Sequence, residues 1–238
     1  MKGKILRAIK SIYRWVFILC LPILLLTASL AWGFNSQWMF NYGFKKFDVS
    51  VTTGLSAENL NKIAGSWTNY INSNYEFWDI VINQGGDSFT LFTREEQMHF
   101  KDVKGLVWLD YQVFGITLLW CLSYAFYCFR LRSKESYRRL AADAVIGSGI
   151  SLGMILLLGA GSFLDFDALF LKMHTLIFTN DFWYAEGYML NLFPGGFWYD
   201  AVFICMGLMA GLTIIVGGTG LSLLKLTGRI KNKDKLIL

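Results

Sequence analysis

Charged residues are scarce in this sequence. Only 16% of its 238 residues are charged, 55% are hydrophobic, and the mean hydropathy is +0.43, whereas soluble domains carry about 25% charged residues. The apolar excess falls in four blocks, each long enough to cross a hydrocarbon core of about 30 Å as a helix. These blocks are 15–32, 106–129, 141–164 and 201–224. The sequence therefore predicts an α-helical membrane protein with four transmembrane helices.

Proline and cysteine are also rare. Pro22 and Pro194 are the only prolines, so little in the sequence interrupts long helices. All four cysteines lie inside the predicted spans, which leaves none for a disulfide framework outside the membrane and no CxxC pair for zinc. We interpret them as small buried membrane residues.

The common catalytic signatures are missing. The sequence has no Gly-x-Ser-x-Gly elbow, no His-Glu-x-x-His, no phosphate loop and no cysteine nucleophile outside the predicted spans. An enzyme built on this sequence would have acid–base groups but no obvious protein nucleophile. We expect it to use no cofactor and no metal.

The basic residues give the chain an orientation. Lysines and arginines cluster before the first block, between the second and third, and after the fourth, so the positive-inside rule places all three regions in the cytoplasm. The net charge of +5 therefore indicates contact with lipid headgroups, and we expect no nucleic acid and no obligate protein partner. This orientation divides the chain into five segments. Segment 1–32 is a cytoplasmic tail followed by helix 1, and segment 33–105 is an extracytoplasmic cap. Segment 106–164 contains helices 2 and 3 with a basic cytoplasmic loop, segment 165–200 is an aromatic extracytoplasmic segment, and segment 201–238 is helix 4 with a basic cytoplasmic tail.

A cleaved signal peptide is an alternative interpretation of the first block, because Ser29-Leu30-Ala31 has the composition of a cleavage site. The apolar run is long for a signal peptide, however. Trp32 also closes it as an interfacial anchor would, which favours a retained helix.

The segment 33–105 is too long and too patterned for a passive loop. Alternating apolar and polar residues over 47–51 predict a half-buried strand. Ser56 predicts the N-cap of a helix, because the apolar residues that follow it recur at helical spacing. Two more short strands, 77–82 and 88–92, are predicted around a glycine-containing turn. The cap between helices 1 and 2 is therefore predicted to be a small α+β unit.

Only two histidines occur, and the first lies where the cap returns to the membrane. Thr93 and Glu96 form a capping box that predicts a helix start. On that helix, Glu95, His99 and Asp102 share one face at spacings i, i+4 and i+7. A carboxylate beside a histidine fixes its tautomer and raises its basicity, as a general base requires. From spacing alone, a solvated charged face is the simpler explanation, and one histidine with two carboxylates is an incomplete set of metal ligands.

His174 lies among apolar residues just beyond the third block, where a lone interfacial histidine is the simpler explanation. Its position makes it a candidate, because both histidines are predicted on the same side of the membrane at a similar depth. Asp110, one turn inside the second block, is a second-rank candidate because ionisable groups are costly there.

The sequence resembles the bacterial lipoprotein intramolecular transacylases over nearly its whole length. The resemblance rests on four spans with a cap after the first, on the segment 92–104, and on the segment 174–200 with Asn180-Asp181-Phe182-Trp183 and Leu192-Phe193-Pro194-Gly195-Gly196-Phe197-Trp198. By this resemblance the catalytic residues are His99 and His174. The residues proposed to support them are Glu95, Asp102, Asp110, Trp183, Phe193 and Trp198.

The resemblance implies a diacylated lipoprotein as the substrate, and membrane lipid is the other expected partner. The acyl chain on the glycerol sn-2 oxygen would move to the α-amine of the N-terminal cysteine, giving a lyso-form N-acyl S-monoacylglyceryl lipoprotein. The substrate would then supply the nucleophile that the chain lacks. We expect a multi-pass protein of the cell membrane with both termini in the cytoplasm and the site at the outer face. The alternative is a non-enzymatic membrane sensor or assembly partner whose cap docks lipid or protein.

Overall fold

The computed structural model describes residues 2–236, with the side chains of residues 2–3, 5–7 and 228–236 left undescribed. Nine helices and one hairpin account for the regular structure of this part of the chain. They are α1 (Lys2–Asn35), α2 (Gln37–Lys46), α3 (Val49–Thr53), α4 (Ala57–Ile71), β1 (Val81–Gln84), β2 (Asp87–Thr90), α5 (Arg94–Arg130), α6 (Lys134–Leu164), α7 (Phe166–Ile177), α8 (Tyr188–Leu192) and α9 (Gly195–Leu236). A 3₁₀ turn, Phe182–Tyr184, lies between α7 and α8.

Four of these helices are long and apolar enough to cross a membrane, which confirms the predicted fold class. The qualifying stretches are Ala8–Asn35, Arg94–Arg130, Lys134–Leu164 and Gly195–Thr227. Each is longer than the apolar block that predicted it, because polar residues at the ends continue the helix. The second extends furthest: α5 already begins at Arg94, so His99 lies on the same continuous helix as the second span.

The chain divides into two compact units. One, here called the helical unit, comprises α1 up to Ser29, Tyr111–Leu158 and α9 from Met206 onward. The other, here called the cap unit, comprises Leu30–Asp110 and Gly159–Cys205.

The helical unit contains a buried charge. Asp143 on α6 is 0% exposed, and its carboxylate accepts hydrogen bonds from Arg14 Nε at 2.6 Å and from the Tyr124 hydroxyl at 2.7 Å. A buried carboxylate is stable only when it is paired and hydrogen-bonded, and here both conditions hold. The network joins α1, α5 and α6.

The cap unit contains the predicted helix at Ser56. The Ser56 hydroxyl accepts a hydrogen bond from Asn59 N at 3.2 Å, and α4 follows. Its buried face includes the residues spaced as predicted, namely Leu60, Ile63, Trp67 and Tyr70. This element is confirmed.

The predicted hairpin is also confirmed, although its strands are shorter. β1 and β2 pair antiparallel, and Gly85 and Gly86 between them both have positive φ, which a two-residue hairpin turn requires. The strand predicted over 47–51 is wrong, because Val49–Thr53 forms one turn of helix. Val49 is buried but Val51 is 80% exposed, so the alternating residues do not share a buried face.

Candidate active site

The first histidine is held by the start of α5. The predicted capping box is present: Thr93 N donates to Glu96 Oε2 at 2.7 Å, and Glu96 N donates to Thr93 Oγ1 at 3.3 Å. His99 follows less than one turn later and is 8% exposed. Its Nδ1 is buried without a hydrogen-bond partner among the described residues. A buried polar atom without a partner costs free energy, so such atoms are often kept for a ligand or a reaction.

The second histidine is held by α7, which begins where the Asp165 carboxylate accepts a hydrogen bond from Ala168 N at 3.0 Å. His174 is 7% exposed, and its Nδ1 lies 2.8 Å from the Phe170 carbonyl oxygen. Because a carbonyl oxygen can only accept, Nδ1 is the donor in this hydrogen bond. The neutral imidazole therefore has its lone pair on Nε2, which leaves Nε2 as the basic atom.

The surroundings of His174 favour its neutral form. Burial lowers its pKa below the ordinary value, and the hydrogen bond to the Phe170 carbonyl opposes this effect only partly. A neutral histidine with a free Nε2 can accept a proton at physiological pH.

The two imidazoles face one another across a short gap. Their ring centroids are 6.2 Å apart, with an angle of 30° between the ring planes. Phe178 packs against both rings, with ring-centroid distances of 5.0 Å to His99 and 5.4 Å to His174. The ring of Trp183 lies 5.1 Å from that of His174, again between centroids. Aromatic side chains thus surround the pair.

Both histidines line one cavity of about 580 Å³. Most of its other lining residues are apolar. They come from α1, α2, α4, α5, α7, α8 and α9 and from the segments that join α7, α8 and α9. This volume lies within the range of about 300–1,000 Å³ that is usual for small-molecule sites. The arrangement can therefore hold an apolar chain while presenting two acid–base groups to a polar group attached to it.

Comparison with known proteins identifies the family. The family model for "Lipoprotein intramolecular transacylase Lit" matches residues 15–198. The chain belongs to this family of membrane-integral enzymes. No curated protein matches the sequence.

Solved structures share the fold at low sequence identity. The lipoprotein intramolecular transacylase Lit from Bacillus cereus, crystallised in meso, is 14% identical, with a TM-score of 0.74 over 95% of this chain and 99% of that one. A variant of the same protein in which one histidine is replaced by alanine gives 13% identity and a TM-score of 0.76, over 96% of this chain and 100% of that one. Membership in the transacylase family favours the enzyme over the sensor considered from the sequence.

The structure brings most of the predicted site residues of this family member together. Trp183, Phe193 and Trp198 line the cavity with the two histidines. Asp102 follows His99 by three residues on α5, and its Oδ2 accepts a hydrogen bond from Asn180 Nδ2 at 2.9 Å. Asp110 is not one of the described residues that line the cavity, and its buried Oδ2 has no hydrogen-bond partner within that part of the chain.

Glu95 does not take the place that the helical spacing predicted for it. Its side chain is exposed, and no hydrogen bond of the described residues joins it to His99. The start of α5 is rotated so that Glu96 and Phe100 point inward, because Phe100 packs against Trp67, Trp78 and Phe92 in the core of the cap unit. A supporting role of Glu95 for His99 therefore has no contact behind it in the described structure and stays a prediction.

Sequence reasoning missed three contributors to the site. Glu96 was noticed only as a helix cap, yet it also binds the backbone at Met189. Phe178 contacts both histidines, and the Phe170 carbonyl fixes the His174 tautomer. Of these three, only Glu96 has a sequence signal, which is the capping box. A contact made by a backbone carbonyl leaves no signal in the sequence.

No group of three or more His, Cys, Asp or Glu side chains that could hold a metal ion is found in the described part of the chain. The expectation of a metal-independent reaction remains a prediction.

Proposed function

We propose that the chain moves the sn-2 acyl group of a diacylglyceryl-cysteine lipoprotein to the α-amine of the same cysteine. The product is a lyso-form lipoprotein with an N-acyl group and an S-monoacylglyceryl group. The observation that supports this most is the pair of buried histidines on the wall of one apolar cavity. Membership in a transacylase family agrees with it.

The cavity suits the substrate's acyl chain. Its wall is mostly aliphatic and aromatic, as a site for a hydrocarbon chain should be. The glycerol ester would then lie near the histidines, which are the basic groups of that wall.

His174 is suited to the role of general base. Its Nε2 carries the lone pair, and it can accept a proton from the substrate α-amine, whose unperturbed pKa is about 7.7–8.0. The amine nitrogen then attacks the acyl carbonyl carbon, so a C–N bond forms and the amine proton goes to His174.

His99 is suited to the role of general acid. Its buried Nδ1 has no hydrogen-bond partner among the described residues, so as an N–H it can donate to the ester carbonyl or to the departing glycerol oxygen. The C–O bond of the ester breaks, and the glycerol oxygen leaves as a hydroxyl with the proton from His99, which His99 regains through solvent from the protonated His174.

The reaction also needs confinement. Nitrogen, Cα, Cβ, sulfur, two glycerol carbons, the ester oxygen and the acyl carbon form a ring of eight atoms in the transition state. Such a ring seldom forms unaided, so holding the reacting atoms together is a large part of the catalysis. Trp183, Phe193 and Trp198 line the cavity and would supply this confinement.

A labelled lipopeptide tests the proposed function. The purified chain is given a synthetic diacylated lipopeptide whose sn-2 chain alone is deuterated, and products are analysed by tandem mass spectrometry. We expect the deuterated chain on nitrogen with the total acyl mass unchanged. The matched control is the same lipopeptide with an acetylated α-amine, which should not react. Deuterium retained on glycerol, or on nitrogen only after passage between two molecules, would contradict the proposal.

We further propose that both termini lie in the cytoplasm and the site at the outer face, with the chain divided as the sequence predicted. A cysteine replacing the exposed Asp87 in the hairpin turn should react with an impermeant thiol reagent on intact cells. One replacing Lys134, at the start of α6, should react only after the cells are opened. Both are made in a chain whose native cysteines are replaced by alanine. The reverse labelling would overturn the orientation.

A further inference from the structure

Glu96 has more contacts than a helix cap needs. Its side chain is 0% exposed, and each carboxylate oxygen accepts a backbone hydrogen bond. Oε2 accepts from Thr93 N at 2.7 Å, within the capping box, and Oε1 accepts from Met189 N at 2.6 Å, more than ninety residues further along the chain. The second hydrogen bond attaches α8 to the start of α5.

The attached helix is a wall of the cavity. Met189, Leu190 and Phe193 line it, while Leu190 is also 40% exposed on the outside. At Leu190, α8 therefore separates the cavity from the surroundings. Its displacement would open the site beside the histidines, because His99 is the residue three positions after Glu96.

The backbone at Gly187 is shaped to fit this carboxylate. A Cβ at this position would overlap the Glu96 carboxylate. The close approach thus depends on glycine, and it provides a second means of disturbing the contact without changing Glu96 itself.

We propose that Glu96 is a positioning residue that holds α8 over the cavity and keeps water from the acyl group during transfer. This inference rests on the proposed transacylase function. Water competes with the amine for the same acyl carbon, and a closed site prevents such side reactions. If water attacks, its oxygen bonds to the acyl carbon, the ester C–O bond breaks, and a fatty acid and a free-amine monoacylglyceryl lipopeptide result.

The test measures the ratio of hydrolysis to transfer in water enriched in ¹⁸O. The purified full chain is given the diacylated lipopeptide. Mass spectrometry then measures the amounts of the N-acyl product and of the ¹⁸O-labelled fatty acid. Glu96→Gln retains the size but replaces one acceptor oxygen by an NH₂ group, so one hydrogen bond is lost. We expect the ratio of hydrolysis to transfer to rise roughly ten- to a hundredfold. This is the factor that corresponds to the loss of one hydrogen bond to a charged group.

Gly187→Ala should raise the ratio in the same direction, because it displaces the carboxylate. The matched control is Glu58→Gln, which changes an exposed first-turn glutamate of α4. A ratio does not depend on how much of the variant is folded. An unchanged ratio in both variants, or loss of both products in both, would overturn the inference. Failure of the unaltered chain to form any N-acyl product would overturn the proposed function and this inference with it.

Discussion

Replacing either His99 or His174 by alanine should abolish transacylation while leaving expression and membrane insertion intact. A general acid or base typically contributes about 10²–10⁴ to a rate, so each variant should lose at least this factor in the lipopeptide assay. The two imidazoles face each other across 6.2 Å and are proposed to act in one proton-transfer sequence. Their effects should therefore be non-additive, with the double variant little slower than either single variant.

Thr175→Ala is the matched control for the histidine variants. Thr175 is the exposed neighbour of His174 on α7, and its hydroxyl donates only to the Lys172 carbonyl within that helix. Its loss should leave the rate nearly unchanged. Small, additive losses that follow protein abundance would show that the histidines merely pack. A double variant with near-normal conversion would end their catalytic assignment.

The second large effect is expected from pH. The value of kcat/KM should fall about tenfold per pH unit between about 8 and 6.5, because the free substrate amine binds a proton there. Burial lowers the pKa of His174 from about 6.5, so protonation of this base should add a second tenfold loss per unit only at more acidic pH. A second decrease in kcat/KM that begins clearly above pH 6.5 would contradict the proposal that buried His174 has a lowered pKa.

The same pKa shift has a consequence for stability. The unfolded chain binds a proton at His174 more readily than the folded chain does, since the folded-state pKa is the lower one. The free energy of unfolding should therefore be unaffected by this residue above about pH 6.5 and fall as the pH drops from 6.5 to the folded-state pKa. Thermal unfolding of the chain and of His174→Gln across this range measures the effect, and the difference between the two should stop changing with pH above about 6.5.

Local patterns were sufficient for much of the fold. Four apolar blocks predicted the long helices, and Ser56 and Thr93 marked helix starts because capping is a short-range hydrogen bond. Five residues over 47–51 were too few to separate a strand from a helical turn, since only tertiary packing buries Val49 and leaves Val51 exposed.

The site was predictable only in part for a related reason. Both histidines could be placed near one boundary, but the rotation of α5 about its axis is decided by the packing of Phe100 against distant aromatic residues. That rotation turns Glu96 inward and Glu95 outward. The spacing of residues along the helix would fit the reverse arrangement, with Glu95 inward and Glu96 outward, equally well. The contact between Glu96 and Met189 depends on the same rotation.

The most direct measurement is mass spectrometry of lipoprotein N-termini from bacterial cells that make only diacylated lipoproteins, with and without this chain. Expression should convert the S-diacylglyceryl form into an N-acyl S-monoacylglyceryl form of the same total acyl mass. Expression of the variant lacking His99 and His174 to the same level should leave the diacyl form unchanged. N-termini that stay S-diacylated when the unaltered chain is present in the membrane, or that are converted equally by the variant, would contradict the account.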